Sequence, residues 1–137
     1  MLARRRFAAC ALCAATGLVA SAVEAEAQTP APGYLRTILR RIDYPGEKHA
    51  VFQVLVDIEP NAVIARHTHP GVETTYVVEG ESELSVKGQP DRPLRTGDTY
   101  AIPPVLPHSL RNGSKKTRLL AVYVVEKDKP LASPAPE

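Results

Sequence analysis

No cysteine lies beyond residue 13: the chain has two, Cys10 and Cys13, and both fall in its opening segment. Downstream of them no disulfide can staple the protein, and no thiolate can serve as nucleophile or metal ligand. The sequence also lacks a basic stripe interleaved with aromatics, which argues against nucleic acid as a partner. A convincing amphipathic helix is missing too. The one long apolar stretch, Phe7 to Val23, is Ala-rich and broken by Thr16, Gly17 and Ser21. At about 17 mildly hydrophobic residues it is short and weak for a stable membrane span.

That stretch follows Arg4, Arg5 and Arg6 and ends at Ala25-Glu26-Ala27, a small-x-small site just before Gln28. Residues 1–27 are therefore expected to be a signal peptide, with a cut after Ala22 as the competing choice. Arg4-Arg5-Arg6-Phe7 also resembles the core of a twin-arginine export signal. On that route a folded protein would carry its metal out, whereas the general secretory route would leave the chain to take metal outside, where the affinity order favours copper and zinc. Cys10 lies too near the start to be a good lipid-attachment site. The expected location is periplasmic or secreted, with membrane contact only through the leader before cleavage.

From Gln28 onward 110 residues remain, enough for one small domain with one core. They carry 14 basic and 13 acidic residues, so the mature chain is close to neutral. Residues 28–33, with Pro30, Pro32 and Gly33, read as a flexible lead-in. A single domain is expected over 34–129. The last stretch, 130–137, contains three prolines and reads as a loose tail.

Within the domain, Ala50 to Ile58 alternates, with Phe52, Val54, Val56 and Ile58 on one face: a half-buried strand ended by Pro60-Asn61. Thr74–Glu79 and Glu81–Val86 flank Gly80 and are expected to form a hairpin, and Gly88-Gln89-Pro90-Asp91 to close the next turn. Gly97-Asp98 starts another strand. Leu119 to Val125 is continuously apolar, which predicts a strand covered on both faces, the outer cover being a second copy of the chain in a homodimer. Many short strands punctuated by Gly and Pro predict an all-β sandwich or barrel.

Three of the four histidines fall into one pattern. His67 and His69 are two apart, so in an extended strand their imidazoles share a face, and Glu73 has the same parity beyond a bend at Pro70-Gly71. His108 comes from a later segment in which His108, Leu110 and Asn112 share parity. Imidazoles and a carboxylate suit a borderline divalent transition metal. The fourth histidine, His49, sits in the polar turn Pro45–His49 and reads as exposed and structural.

The order around these residues is Asn61, five residues, His67-Thr68-His69, three residues, Glu73, six residues, Gly80, and then Gly97, five residues, Pro103-Pro104-Val105, two residues, His108, three residues, Asn112. It resembles the two motifs of the cupin family, G(X)5HXH(X)3-4E(X)6G and G(X)5PXG(X)2H(X)3N, closely over Pro60–Asn112. Asn61 and Val105 stand where the family has glycine. Asn tolerates a left-handed turn, but a β-branched Val resists one, so the loop approaching His108 is expected to differ.

The resemblance implies a cupin double-stranded β-helix, a small jelly-roll barrel, with His67, His69, Glu73 and His108 as ligands of one divalent transition metal (Fe, Mn, Ni, Cu or Zn). Only sixteen residues, Glu81–Thr96, separate the motifs, which leaves no lid and an open pocket shaped by strand side chains. It further implies a metal-dependent enzyme acting on a small oxygen-bearing molecule, similar to quercetin-type dioxygenases, with Glu73 doubling as the catalytic base. A redox-neutral lyase, decarboxylase or isomerase and a non-catalytic binding, storage or sensing protein are the alternatives. Tyr76, Tyr100 and Tyr123 are candidate proton donors. Arg66 and Arg118 are expected to face away from the metal, which leaves no clamp for a strongly acidic substrate and favours a neutral or chelating oxygen compound.

Overall fold

The computed structural model describes residues 32–46 and 48–136, so the expected leader at 1–27 and most of the lead-in lie outside the described residues. Ten strands follow one another: β1 (Tyr34–Asp43), β2 (His49–Ile58), β3 (Val63–Thr68), β4 (Gly71–Glu79), β5 (Glu81–Val86), β6 (Arg92–Arg95), β7 (Thr99–Ile102), β8 (His108–Asn112), β9 (Thr117–Glu126) and β10 (Ser133–Pro134). Among the described residues there is no helix. The strands form two antiparallel five-stranded sheets, β1-β2-β9-β4-β7 and β10-β3-β8-β5-β6, the double-stranded β-helix expected. The inner faces meet in one core that includes Val54, Val56 and Ile58 of β2, Val77 of β4, Leu84 of β5 and Leu119 of β9. Burying such side chains stabilises by roughly 1.5–3 kcal/mol each.

Gly80 does not close a hairpin. β4 pairs with β7 and β9, while β5 pairs with β6 and β8, so Gly80 is the corner at which the chain leaves one sheet for the other. Its φ is +95°, and a Cβ there would collide with Thr117 Oγ1 and the Lys116 carbonyl. A glycine between two apolar runs signals a tight turn, but it does not say whether the strands then pair. The turn at Gly88–Asp91 does join paired strands, β5 and β6.

The segment expected as a loose tail is docked. Leu131 is buried in the core, β10 pairs with β3 through Ser133↔Thr68 and Pro134↔His67, and the Ala135 amide donates to the Arg66 carbonyl at 3.1 Å. Prolines suggested a coil, yet Pro134 is compatible with the strand because β10 is an edge, where a missing N–H costs nothing.

On β9 the side chains alternate: Leu119, Ala121, Tyr123 and Val125 are buried, whereas Leu120 and Val122 are half-buried and Val124 is 40% exposed. Their outer neighbours across the sheet include Val51 and Leu55 of β2 and Val72 and Tyr76 of β4. Among the described residues this strand is therefore covered on one face only.

Both motif departures take the left-handed conformation that glycine would supply, Asn61 at φ 60° and Val105 at φ 55°. The expected resistance of a β-branched residue to that conformation is overcome at Val105. Val105 is 67% exposed, so its isopropyl group meets no neighbour that forbids the turn, and its amide donates to the His69 carbonyl at 2.9 Å. The strain of a β-branched residue there is of order 1–3 kcal/mol and is held by that bond and the flanking prolines. Asn112 fixes the other end of the motif. Its side-chain amide donates to the carbonyls of Ile58 (3.2 Å), Glu59 (2.8 Å) and Lys115 (2.9 Å) and its oxygen accepts from Ser82 (3.0 Å).

Candidate metal centre

A bulge brings the histidines inward. On β3, Ile64 pairs with Leu110 and His67 with His108, so three steps on β3 match two on β8. Ile64 is buried; strict alternation would next turn Arg66 and Thr68 inward. The extra residue reverses the parity and aims His67 and His69 at the interior instead. Glu73 arrives on β4 from the other sheet, and His108 opens β8 directly opposite His67.

His67 Nδ1 lies 2.8 Å from the Ala65 carbonyl, His69 Nδ1 2.6 Å from that of Leu131, and His108 Nδ1 2.9 Å from that of Leu106. A carbonyl can only accept, so each Nδ1 carries a proton, and in the neutral ring each Nε2 presents its lone pair. Two of those lone pairs meet Glu73 Oε2, which sits 2.9 Å from His69 Nε2 and 3.3 Å from His108 Nε2. His69 Nε2 and Glu73 Oε2 are both buried and have no hydrogen-bond partner among the described residues. Facing lone pairs at 2.9 Å repel one another unless a proton or a cation lies between them. One ligand atom from each of His67, His69, Glu73 and His108 lies within 4.8 Å of the others, so the four are positioned to bind a metal. The donor set of imidazoles and one carboxylate fits a divalent transition ion and leaves up to two positions of an octahedron open.

The electrostatics favour the same use. Burial alone would raise the Glu73 pKa, but the close approach of His108 and His69 outweighs it and holds the carboxyl below its usual range. Burial, with the neighbouring His108, lowers His67 to about 4, so at neutral pH its ring is uncharged and its Nε2 is free of a proton. The second carboxylate oxygen is tied: Thr75 Oγ1 donates to Glu73 Oε1 at 2.7 Å and Tyr100 Oη at 3.1 Å. Thr75 shares the parity of Glu73 on β4 and pairs with Tyr100 on β7, which is why both hydroxyls reach the same oxygen. The Thr75 hydroxyl was legible from that parity, although the motif spacing does not draw attention to it.

The tyrosines separate clearly. Tyr100 is buried beside Glu73, and burial and the nearby carboxylate push its pKa well up, so it remains a protonated donor. Tyr123 packs its ring 4.8 Å from that of His69 and is likewise pushed up by burial. Tyr76 is 45% exposed on the outer face, away from the centre. Arg118 pairs with Asp57 on the surface, while His49 is exposed at the start of β2. Arg66 lines an outer groove beside His67.

The C-terminal segment bears directly on the centre, because the Leu131 carbonyl orients His69. A chain ending at Lys129 would lose that acceptor and the buried Leu131 side chain together. Outer-shell partners of a ligating histidine are typically worth about 10–100-fold in metal affinity. The truncated protein is expected to show a loss of that order in a competitive chelator titration, along with a lower urea midpoint. Leu131→Ala keeps the carbonyl, so it should lower the midpoint but spare most of the affinity. Wild-type affinity in the truncated chain would mean that the carbonyl has no hold on His69.

A family model described as the cupin domain matches residues 54–124. No curated protein sequence matches the chain. Solved structures with the same fold include KdgF from Halomonas sp., 24% identical, with a TM-score of 0.61 over 74% of this chain and 88% of that one. An uncharacterised Klebsiella pneumoniae protein with a double-stranded β-helix domain is 20% identical, with a TM-score of 0.60 over 80% of this chain and 90% of the other. The DMSP lyase DddQ from Ruegeria pomeroyi is 21% identical, with a TM-score of 0.62; 75% of this chain matches 52% of that protein, about half its length.

Proposed function

The chain belongs to the cupin family, and we propose that it is an exported metal-dependent enzyme in which His67, His69, Glu73 and His108 hold one divalent transition metal that takes a small oxygen-bearing organic substrate. The observation that carries this reading is the set of three imidazoles fixed through Nδ1, with Nε2 of His69 and His108 at 2.9 and 3.3 Å from Glu73 Oε2 and a ligand atom of His67 within 4.8 Å of the other three. Export rests on the leader read from residues 1–27, and the location proposed is periplasmic or secreted.

When bound, the metal would supply Lewis acidity toward a substrate oxygen and, if redox-active, a route for electrons to dioxygen. The chain's own groups do the rest. The backbone carbonyls of Ala65, Leu131 and Leu106 hold the imidazoles in one tautomer. Glu73 is the proposed base, and the Tyr100 phenol on its Oε1 is the next proton holder in line. Apolar residues such as Val56, Ile64, Leu84 and Leu110 wall the interior and limit water. Dioxygenase chemistry on an enolate or diketone-like substrate is the first form of this proposal.

One observation favours a second reading. Thr75 and Tyr100 both pin Glu73 Oε1, which suits a fixed ligand better than a mobile base and supports redox-neutral chemistry or a binding role at the same metal. Elemental analysis of the protein from its native compartment, with dioxygen uptake on the same sample, separates the two. About one Fe, Mn, Ni or Cu per chain with uptake on adding a flavonol or diketone supports the dioxygenase. One Zn without uptake supports the second reading, and no metal overturns both.

We further propose that a second copy of the chain covers the outer face of β9, where Leu120, Val122 and Val124 lie beside Val51, Leu55, Val72 and Tyr76. The face is apolar apart from Gln53 and Thr74, which flank Val122, and exposed apolar side chains gathered in this way mark an interaction surface. Sedimentation at micromolar concentration is expected to give a dimer, and a monomer there would refute it.

A further inference from the structure

Arg36 has no part in the centre described so far, yet it faces it. It lies on the edge strand β1 opposite Val56, and its neighbours in parity, Tyr34 and Ile38, oppose Ile58 and Val54. Those three β2 residues are core, so Arg36 is on the inner face of the barrel. Its guanidinium packs 5.0 Å from the centre of the Tyr34 ring. Among the described residues no carboxylate pairs with it, whereas Arg41 and Arg118 each have an acidic partner.

Two spaces share this side chain. One is a small interior cavity of about 20 Å³ that Arg36 lines together with Glu73, His67 and His108. It has room for an ion or about one water molecule, not for an organic substrate. The other is a groove of about 240 Å³ between β1, β3 and the C-terminal segment, lined by Tyr34, Arg36, Arg66, His67 and Ala132–Pro134. His67 and Arg36 alone belong to both. A ligand approaching the metal position from the groove therefore passes a cation that no described carboxylate pairs with, and none of the described residues lining that groove is acidic.

We propose that Arg36 is the anion-binding element of this site and that the substrate is a small organic acid, with a carboxylate on Arg36 and a second oxygen donor directed to the metal position. This rests on the metal reading above and replaces the expectation of a neutral ligand, which counted only the arginines near the motifs. The guanidinium fork matches a carboxylate, and its stacking on Tyr34 leaves it pre-oriented. An inward charge on an edge strand also discourages strand addition. That role needs the charge alone and is indifferent to ligands.

The test uses the full mature chain loaded with Co(II), titrated by calorimetry and visible absorption with malonate, succinate and glutarate, each against its monomethyl ester. At least one diacid is expected to bind about 10-fold or more tighter than its ester. In Arg36→Gln that advantage should shrink to about 2-fold while cobalt affinity stays at the wild-type value, and Arg36→Lys should keep part of it. An undiminished advantage in Arg36→Gln, or none in the wild type despite one cobalt per chain, would overturn the assignment. Failure of the wild type to take up cobalt would instead bring down the metal reading, and this proposal with it.

Discussion

A His67→Ala/His69→Ala variant is expected to remain a folded β domain and to hold no metal at any concentration short of its general surface affinity. Four protein ligands typically supply a total of order 10–16 kcal/mol in tight structural zinc sites, so losing two forfeits roughly half of it, or about 10⁴-fold or more in affinity. The fold should survive because the core residues of β2, β4 and β9 pack mainly on one another, Tyr123 being the one that meets an imidazole. His69 is the costlier of the two: it is fully buried, it touches Tyr123, and its removal leaves the Leu131 carbonyl without its donor. A stability loss of about 1–3 kcal/mol follows from that orphaned carbonyl. The decisive contrast is thermal. Metal at about 1,000 times its dissociation constant should stabilise the wild type by about 4 kcal/mol and leave the double variant's midpoint unmoved. Stoichiometric metal in the variant would remove these residues from the site.

Much of this was legible before the structure, and the remainder was hidden for identifiable reasons. The ligand quartet could be read because each motif writes its spacing into one continuous segment. What brings the quartet together was not in that spacing. Period-2 alternation puts His67 and His69 on one face, but it is the bulge between Ile64 and His67 that makes the face the inner one. Whether a bulge forms depends on the partner strand β8, which no local pattern on β3 encodes.

Contacts distant in sequence were the least visible. Leu131 lies 62 residues from His69, and its carbonyl carries no side-chain identity that a reader could search for. Its prolines and small neighbours look like a coil because the apolar content of the segment is one leucine. Arg36 was overlooked for a related cause. Its inward parity emerges only from the register with Val56, and the sequence of β1 mixes charge and apolar residues without marking which row is the core. The Gly80 corner belongs with these cases, since a hairpin and a change of sheet begin with the same residue.

Glu73→Gln is expected to keep the fold, within about 1 kcal/mol of the wild type without metal, and to lose both the metal and turnover. Oε1 accepts from Thr75 and Tyr100, so the amide of a glutamine must turn its own oxygen to those hydroxyls and its NH2 toward His69 and His108. There it can donate to the Nε2 lone pairs, which is why the uncharged side chain fits the metal-free protein. The same NH2 points N–H bonds at the metal position and removes the one anionic ligand. A fall in affinity of about 100-fold or more is the consequence, by analogy with a quarter share of a tight four-ligand site. Glu73→Ala is the contrasting variant. It leaves the buried Thr75 and Tyr100 hydroxyls without their acceptor, at roughly 1–3 kcal/mol for each unpaired group, and should be clearly less stable than Glu73→Gln. Metal titration of Glu73→Gln, followed by activity at saturating metal, assigns the residue's role. Weak metal with activity restored at saturation makes Glu73 a ligand alone. Wild-type metal affinity with no turnover makes it a base alone and removes it from the ligand set.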